Sequence, residues 1–209
     1  MAAVGWWSEQ VVPRVTDASL RGRALGDSRA RACAGLTGRV LEIGFGGGLN
    51  LVHLPETVTA VGAVEPSDTG WRLSEKRRAR SAVPVERIGL DGQAIGASDA
   101  SYDSALCTFT LCTIPDAQAA LAEVRRVVRP GGTFHFLEHG LSPDDRVARW
   151  QHRFDPWQQR LAGGCHLTRD AGALVEQSGM TLEMLETGAL TGFSGPAALT
   201  FGYLGSARV

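Results

Sequence analysis

The sequence predicts an α/β fold in which a mainly parallel β-sheet carries helices on both faces. Short β-rich runs alternate with helix-like segments through the middle of the chain, and a glycine-rich turn follows the first run. Strands separated by crossover helices pair in parallel, and the helices then cover both faces of the sheet. With 209 residues, the chain is long enough for one domain with a substantial core.

Five segments have the composition of strands. They are residues 39–44, 58–65, 83–88, 102–111 and 133–140. A helix is predicted after the second strand, over residues 68–80. A strongly amphipathic helix is predicted over residues 116–129, with Pro130, Gly131 and Gly132 ending it before the fifth strand.

The pattern changes after residue 140. An aromatic, helix-like segment over residues 142–166 contains a Gly-Gly break, and a second helix is predicted from Thr168, as N-cap, to Gly179, as terminator. Two final runs, 180–187 and 199–209, are expected to close the sheet as a hairpin around residues 188–198. About forty residues precede the first strand, and we expect helices there.

Charge and cysteine content narrow the classes of partner. The chain has 21 basic and 22 acidic residues, which argues against a nucleic-acid partner because such binding rests on clustered positive charge. Cys33, Cys107, Cys112 and Cys165 form no zinc-type spacing, so no metal site is predicted. Without a signal sequence or a bilayer-length apolar run, we expect a cytoplasmic protein with free thiols and no membrane anchor.

Four glycines occupy five positions directly after the first strand, within Gly44-Phe45-Gly46-Gly47-Gly48. In a parallel sheet, ligands bind beyond the carboxyl ends of the strands, so this turn is the expected contact. The dinucleotide pattern G-x-G-x-x-G fails because Leu49 or Leu51 stands at its third glycine. A P-loop fails too, because no Gly-Lys-Ser/Thr follows.

The run from Glu42 to Gly48 resembles the E/D-x-G-x-G-x-G motif of the class I S-adenosylmethionine (SAM) methyltransferases. The resemblance extends over residues 39–140 and implies a Rossmann-like fold with a seven-stranded, mainly parallel sheet. It also implies SAM as cofactor, an acid (Glu65) on the ribose hydroxyls and another (Asp91) near the adenine. The implied cofactor-binding residues are Glu42, Gly44, Gly46, Gly48, Asn50, Glu65, Pro66, Asp91, Gly92 and Thr108.

Further motifs resemble the thiol methyltransferase group, also called methyltransferase-like seven, and its soluble bacterial relatives. They are Cys107-Thr108, Leu111-Cys112, Glu138-His139, Phe154-Asp155-Pro156 and the run from Gly164 to Arg169. Animal members methylate small alkyl thiols or hydrogen sulfide and carry an N-terminal membrane anchor, which we do not expect here. The resemblance implies one methyltransferase domain over residues 1–209. Its expected parts are an N-terminal helical lid (1–38), a SAM-binding core (39–140), an acceptor-side insert (141–167) and a C-terminal helix and hairpin (168–209).

The methyl acceptor is expected to be a small molecule, with a small thiol favoured. O- or C-methylation of a phenolic or quinone-like metabolite stays open, and so does SAM binding without turnover. His139, Asp155 and His166 are the candidate catalytic residues. Trp150, Phe154 and Trp157 are candidates for lining an apolar acceptor pocket, with ordinary helix packing as the alternative. Cys107 and Cys112 are expected to be packing cysteines, with a redox or arsenic-binding role as the alternative.

Overall fold

The computed structural model describes residues 5–190 and 196–209. Within them, seven strands form one sheet in the order β3-β2-β1-β4-β5-β7-β6. The strands are β1 (Gly38–Ile43), β2 (Val58–Val64), β3 (Val85–Gly89), β4 (Tyr102–Thr108), β5 (Val128–His139), β6 (Thr181–Ala189) and β7 (Phe201–Arg208). The predicted fold class is confirmed, and each of the seven predicted strands is present.

Helices precede, connect and follow these strands. They are α1 (Val12–Ser19), α2 (Arg23–Cys33), α3 (Asp68–Leu73), α4 (Glu75–Arg78), α5 (Ala117–Val127), α6 (Asp145–Leu161), α7 (Ala171–Gln177) and α8 (Ala197–Thr200). A π-helical turn (Trp7–Val11) leads into α1, and a 3-10 turn (Leu51–His53) follows the glycine loop. The expected N-terminal helices are therefore present from residue 7 onward.

Strand order reverses at β1, which lies between β2 and β4. Strands β1 to β5 pair in parallel, whereas β7 is antiparallel to both β5 and β6. The crevice between the carboxyl ends of β1 and β4 is the place where open α/β sheets bind ligands.

The sheet separates two apolar layers. One contains the inward face of α5 with Leu121 and Val124, and the other contains the α2 face with Ala32 and Cys33. The amphipathic pattern of α5 explains its position, because its apolar stripe is fully buried against the sheet. Asp116 caps the N-terminus of α5, where its side chain accepts from Ala119 N at 3.0 Å.

Two predicted boundaries differ from the structure. The Pro130-Gly131-Gly132 turn does not precede the fifth strand, because α5 ends at Val127 and β5 already begins at Val128, which pairs with Tyr102. Gly131 has a φ of +78°, so the turn residues form an irregularity inside the strand and no separate loop.

The helix after residue 167 begins later than predicted. Thr168 is not its N-cap; the Asp170 side chain accepts from Ala173 N at 2.9 Å and caps α7. Gly179, with φ of +85°, follows the helix end as predicted. The predicted helix over residues 68–80 is divided at Ser74 into α3 and α4.

The predicted hairpin is present as β6 paired with β7. Of its connecting loop, residues 191–195 lie outside the described residues, as do residues 1–4 of the predicted N-terminal lid.

Candidate active site

A cavity of about 640 Å³ opens at the carboxyl ends of β1 and β4. Its walls come from the N-terminal helices, the glycine loop, the segments that follow β2, β3 and β4, and the turn after α6. The volume lies within the range of about 300–1,000 Å³ that is typical of small-molecule sites.

The glycine loop forms the floor of the cavity. At Gly44, φ is +74° and a β-carbon would overlap the Thr110 side chain, so glycine is required by the protein's own packing. At Gly46, φ is +53°, but the nearest atom to a β-carbon would be Gly44 O at 3.9 Å. The open side of Gly46 therefore faces space that a ligand can fill.

A buried polar network lies behind the loop. Asn50 Nδ2 donates to Glu42 Oε1 at 2.8 Å and to Thr108 Oγ1 at 3.0 Å. Arg29 Nη1 donates to Asn50 Oδ1 at 2.7 Å and to Thr108 Oγ1 at 2.9 Å. Glu42, Asn50 and Thr108, three of the predicted cofactor-binding residues, are thus brought together by Arg29 of α2.

Two atoms of this network have unused hydrogen-bonding capacity. Among the described residues, two buried side-chain atoms have no hydrogen-bond partner: the oxygen Glu42 Oε2 and the nitrogen Arg29 Nε. Burial raises the pKa of Glu42 to about 7. A buried carboxylate oxygen without a donor is costly, and a ligand carrying an ammonium group would satisfy it.

Glu65 directly follows β2, the strand that pairs with β1. Its carboxylate accepts from Gly46 N at 2.6 Å and from Ser67 N at 2.8 Å, and burial raises its pKa. Pro66 follows it in the cavity wall. Asp91 is exposed at the far end, where its Oδ1 accepts from Gln93 N at 2.8 Å, and the backbone of Gly92 packs beside Ile43. Both predicted acids therefore line the cavity.

The N-terminal helices close over the loop through ion pairs. Arg77 Nη1 donates to Asp17 Oδ1 at 2.9 Å and to Gly47 O at 2.6 Å, so α1 and α4 meet above the loop. Glu9 Oε1 also accepts from Thr69 N at 3.2 Å. The predicted Gly48 is buried beneath this contact, against Phe45.

Sequence reasoning missed Arg29, Asp17 and Arg77. For Arg29 a signal was present, because it shares a helical stripe with Leu25, Ala32 and Cys33, all of them buried. A charged residue in an otherwise apolar stripe points to a buried polar role. Asp17 and Arg77 lie 60 residues apart, and no local pattern connects them.

The turn after β4 forms the opposite wall. Glu138 is buried at the end of β5 and accepts from Thr110 N at 2.8 Å and Leu111 N at 3.1 Å. Phe109 has a φ of +53°, and the Arg29 guanidinium lies 5.3 Å from its ring centroid. The wall continues through Thr113, Ile114, Ala162 and Gly163. Glu138 thus fixes the conformation of the turn that faces the cavity.

The three predicted catalytic residues lie behind this wall. His139 Nε2 is 2.8 Å from Cys165 Sγ, and Asp155 Oδ1 accepts from Leu167 N at 2.6 Å. His166 Nδ1 lies 3.5 Å from Asp155 Oδ2. His139 and Asp155 contact the segment of residues 165–167, to which His166 belongs, and none of the three lines the cavity.

A backbone hydrogen bond from His166 N to Cys112 O, at 2.8 Å, ties this segment to the turn after β4. Cys112, Thr113 and Ile114 are thereby held against the residues that follow α6. The predicted catalytic residues therefore lie behind the cavity wall and contact the segment that is bonded to it.

Trp150, Phe154 and Trp157 of α6, which the sequence left as either pocket-lining or ordinary helix-packing residues, do not line the cavity. Trp150, Phe154 and Trp157 are 54%, 45% and 61% exposed. They lie on the outer face of the helix, where Trp150 stacks on Phe154 with 5.2 Å between ring centroids. The inward face of α6 carries Gln151 and Asp155, both buried. A stripe of aromatic residues was therefore a poor guide to the buried face.

Comparisons with known proteins show which family the chain resembles. Residues 41–136 match the family model described as a methyltransferase domain. The chain is similar to thiol S-methyltransferase TMT1B of Homo sapiens, with 33% identity over 159 residues, which are 72% of this chain and 64% of that protein. It is similar to TMT1B of Mus musculus, with 31% identity over 165 residues, 76% of this chain and 67% of that protein.

The chain belongs to the class I SAM-dependent methyltransferase family. A SAM-dependent methyltransferase of Thermotoga maritima has the same fold, with a TM-score of 0.69 and 21% identity, over 97% of this chain and 99% of that one. The chain spans less than two thirds of the length of the human relative. In the described part of this methyltransferase, no helix is both long and apolar enough to cross a membrane.

The residues present fit SAM, the cofactor of the family. The unpartnered Glu42 Oε2 is suited to an ammonium group, and the unpartnered Arg29 Nε to a carboxylate. The open side of Gly46 leaves room for the ligand beside the backbone, and the Glu65 carboxylate can accept hydroxyl donors. The donor set and the open volume thus match the amino-acid and ribose parts of SAM.

Proposed function

We propose that this methyltransferase transfers the methyl group of SAM to a small thiol. SAM supplies an electrophilic methyl group on a sulfonium, and the protein's task is to bind it, to place the acceptor and to exclude water. The similarity to thiol S-methyltransferases supports the acceptor class, and the composition of the acceptor-side wall supports it independently.

We assign the cofactor to the network around the glycine loop. In this proposal Glu42 and Arg29 hold the amino-acid end, Glu65 holds the ribose, and Asp91 with Gly92 lies at the adenine end. Asn50 and Thr108 keep Glu42 and Arg29 in position through the hydrogen bonds of 2.7–3.0 Å described above. Gly44, Gly48 and Pro66 shape the wall.

The thiol assignment rests on one observation: the part of the cavity wall that follows Thr108 has no charged side chain among the residues named next. Phe109, Thr110, Thr113, Ile114, Ala162 and Gly163 line the cavity there, and none of these six described residues has an ionisable side chain. An acceptor at this wall must supply its own anion. Since a cysteine-type thiol has a pKa of about 8.5 and a tyrosine-type phenol about 10, such a thiol has roughly thirtyfold more anion at neutral pH.

We propose that His139, Asp155 and His166 are positioning residues. Their contacts with residues 165–167 hold the turn that carries Ala162 and Gly163. His139→Ala should then raise the KM for the acceptor more than it lowers kcat, with the Kd for SAM nearly unchanged. A kcat loss at unchanged KM would instead indicate a role in the chemical step.

The test is S-adenosylhomocysteine formation from SAM with a panel of acceptors. The panel should contain small alkyl thiols, hydrogen sulfide, phenols and quinols, each at several pH values. Turnover confined to thiols, and rising with pH toward the pKa of the thiol, is the expected result. Turnover confined to phenols or quinols would overturn the thiol assignment, and tight SAM binding without any turnover would overturn methyl transfer itself.

All four cysteines are free and buried. Free thiols are typical of reducing compartments, and on that basis we propose a cytoplasmic location. The size of the cavity supports a small-molecule acceptor.

A further inference from the structure

Three potential metal ligands meet behind the acceptor-side wall. Cys112 follows β4, His139 ends β5, and Cys165 follows α6. One ligand atom from each, Sγ of both cysteines and a ring nitrogen of the histidine, lies within 4.8 Å of the others. Cys165 Sγ is 3.6 Å from Cys112 Sγ and 2.8 Å from His139 Nε2. Because these residues come from three separate segments, their spacing in the sequence does not indicate a metal site.

The distances suit a thiolate-bound ion. With Zn–S bonds of about 2.3 Å and Zn–N bonds of about 2.0–2.1 Å, tetrahedral geometry places two sulfur ligands about 3.8 Å apart and a sulfur and a nitrogen about 3.6 Å apart. The Cys165–Cys112 separation of 3.6 Å already matches. The His139–Cys165 separation of 2.8 Å would have to lengthen by about 0.8 Å on metal binding.

Two buried acids lie near the cluster. Glu138 precedes His139 in the chain, and Asp155 accepts from Leu167 N, two residues after Cys165. A cation bound by the cluster would replace the protons of its ligand groups.

The cluster is buried but adjoins the cavity. Cys112 and Cys165 are 2% and 7% exposed, while Thr113, next to Cys112, and Gly163, two residues before Cys165, line the cavity. An ion could therefore enter from the acceptor side. Three protein ligands leave one coordination position open, as in many zinc sites that bind a small molecule.

We propose that Cys112, His139 and Cys165 form a binding site for one thiophilic d10 metal ion, Zn²⁺ or Cu⁺. Two sulfur ligands and one imidazole are the donor set that both ions prefer. The competing arrangement is a disulfide between the two cysteines, which would remove two of the three ligands. The inference concerns metal binding and does not depend on the identity of the methyl acceptor.

The test begins with fully reduced, chelator-treated protein titrated anaerobically with Co²⁺, which reports thiolate ligation by intense near-ultraviolet absorption. We expect one equivalent to bind and to be displaced by Zn²⁺. A separate titration with Cu⁺ against a chromogenic Cu⁺ chelator distinguishes the two ions, and metal analysis of the dialysed protein gives the stoichiometry.

Matched variants locate the site. Cys165→Ser and Cys112→Ser should each weaken binding by at least about 10–100-fold, whereas Cys33→Ala, a buried cysteine on α2 outside the cluster, should bind as the parent does. Circular dichroism and the Kd for SAM identify any variant that fails to fold, and either serine variant alone suffices. Absence of metal binding by the reduced parent, binding retained in both serine variants, or a Cys112–Cys165 disulfide formed in place of metal uptake would overturn the proposal.

Discussion

Arg77 on α4 and Asp17 on α1 form an ion pair across the glycine loop, with 2.9 Å between Nη1 and Oδ1. The same Arg77 nitrogen donates to Gly47 O at 2.6 Å. Asp17 is 5% exposed, so the pair is shielded from solvent and joins the N-terminal helix, the loop and α4 in one contact. This contact contributes to holding α1 above the cavity, together with the contacts of Glu9 with Ser67 and Thr69.

Arg77→Met should therefore weaken SAM binding by loosening α1. Removing a charged hydrogen-bond partner from a buried carboxylate costs about 1.5–3 kcal/mol, and we expect the Kd for SAM to rise about tenfold, measured by calorimetry. Lys76→Met, at the exposed neighbouring position on α4, is the control and should leave the Kd unchanged. An equal Kd in the two variants would show that α1 does not contribute to SAM binding.

Glu65→Ala should weaken SAM binding more strongly. The side chain lines the cavity and also accepts from Gly46 N and Ser67 N, so both the proposed ribose contact and the loop conformation are lost. We expect a rise in Kd of about 10–100-fold, corresponding to about 1.4–2.8 kcal/mol. Glu86→Ala on the neighbouring strand, where the side chain is exposed, is the control. SAM affinity equal to that of the parent would remove Glu65 from the cofactor site.

Glu42→Gln should change how stability depends on pH. Burial raises the pKa of Glu42 from 4.5 to about 7. Because the folded-state pKa is the higher one, the stabilising contribution is fully present below about pH 4.5 and is lost as the pH rises through about 7. Between about pH 4.5 and 8, the parent without SAM should lose about 3 kcal/mol that the variant retains.

Urea unfolding of both proteins at about pH 4.5, 6 and 8 measures this difference. Glu56→Gln, at an exposed position, should follow the parent. Parallel pH profiles for the parent and Glu42→Gln would mean that Glu42 is ionised in the folded protein throughout this range.

Gly46→Val should abolish SAM binding because the side chain would occupy the open space beside the loop. Gly131→Val provides a control with the same backbone requirement, since Gly131 has φ of +78° and Gly46 has +53°, and no atom lies within 4 Å of a β-carbon at Gly131. Both variants should lose about 1–2 kcal/mol of stability. Only Gly46→Val should lose SAM binding in calorimetry, and similar affinity in both would contradict the placement of the ligand.

Phe109→Leu should raise the KM for a thiol acceptor, whereas Trp157→Leu should not. Phe109 lines the cavity at the end of β4, and Trp157 is 61% exposed on α6. Loss of an aromatic contact of about 1 kcal/mol or more predicts a rise in KM of roughly fivefold to tenfold for Phe109→Leu. A larger KM effect at Trp157 would return the α6 aromatic residues to the acceptor site.

The sequence predicted the fold because its signals are local. Alternating apolar runs and the amphipathic stripe of α5 depend on neighbouring residues only, and the predicted strands and the closing hairpin were found. Boundaries were predicted less accurately: Val128 joins the sheet although a Pro-Gly-Gly turn follows it, because pairing with Tyr102 outweighs the turn signal.

The sequence by itself determined the glycine loop, with Glu42 before it and Glu65 after the next strand, and hence the place that we propose for the cofactor. Only the tertiary structure brought Arg29 to Asn50 and Thr108, Asp17 to Arg77, and Cys165 to Cys112 and His139. The physical reason is one of distance along the chain. A turn or a strand is stabilised by contacts within a few residues, whereas these partners lie 21 to 79 residues apart and meet only because helices pack on the sheet.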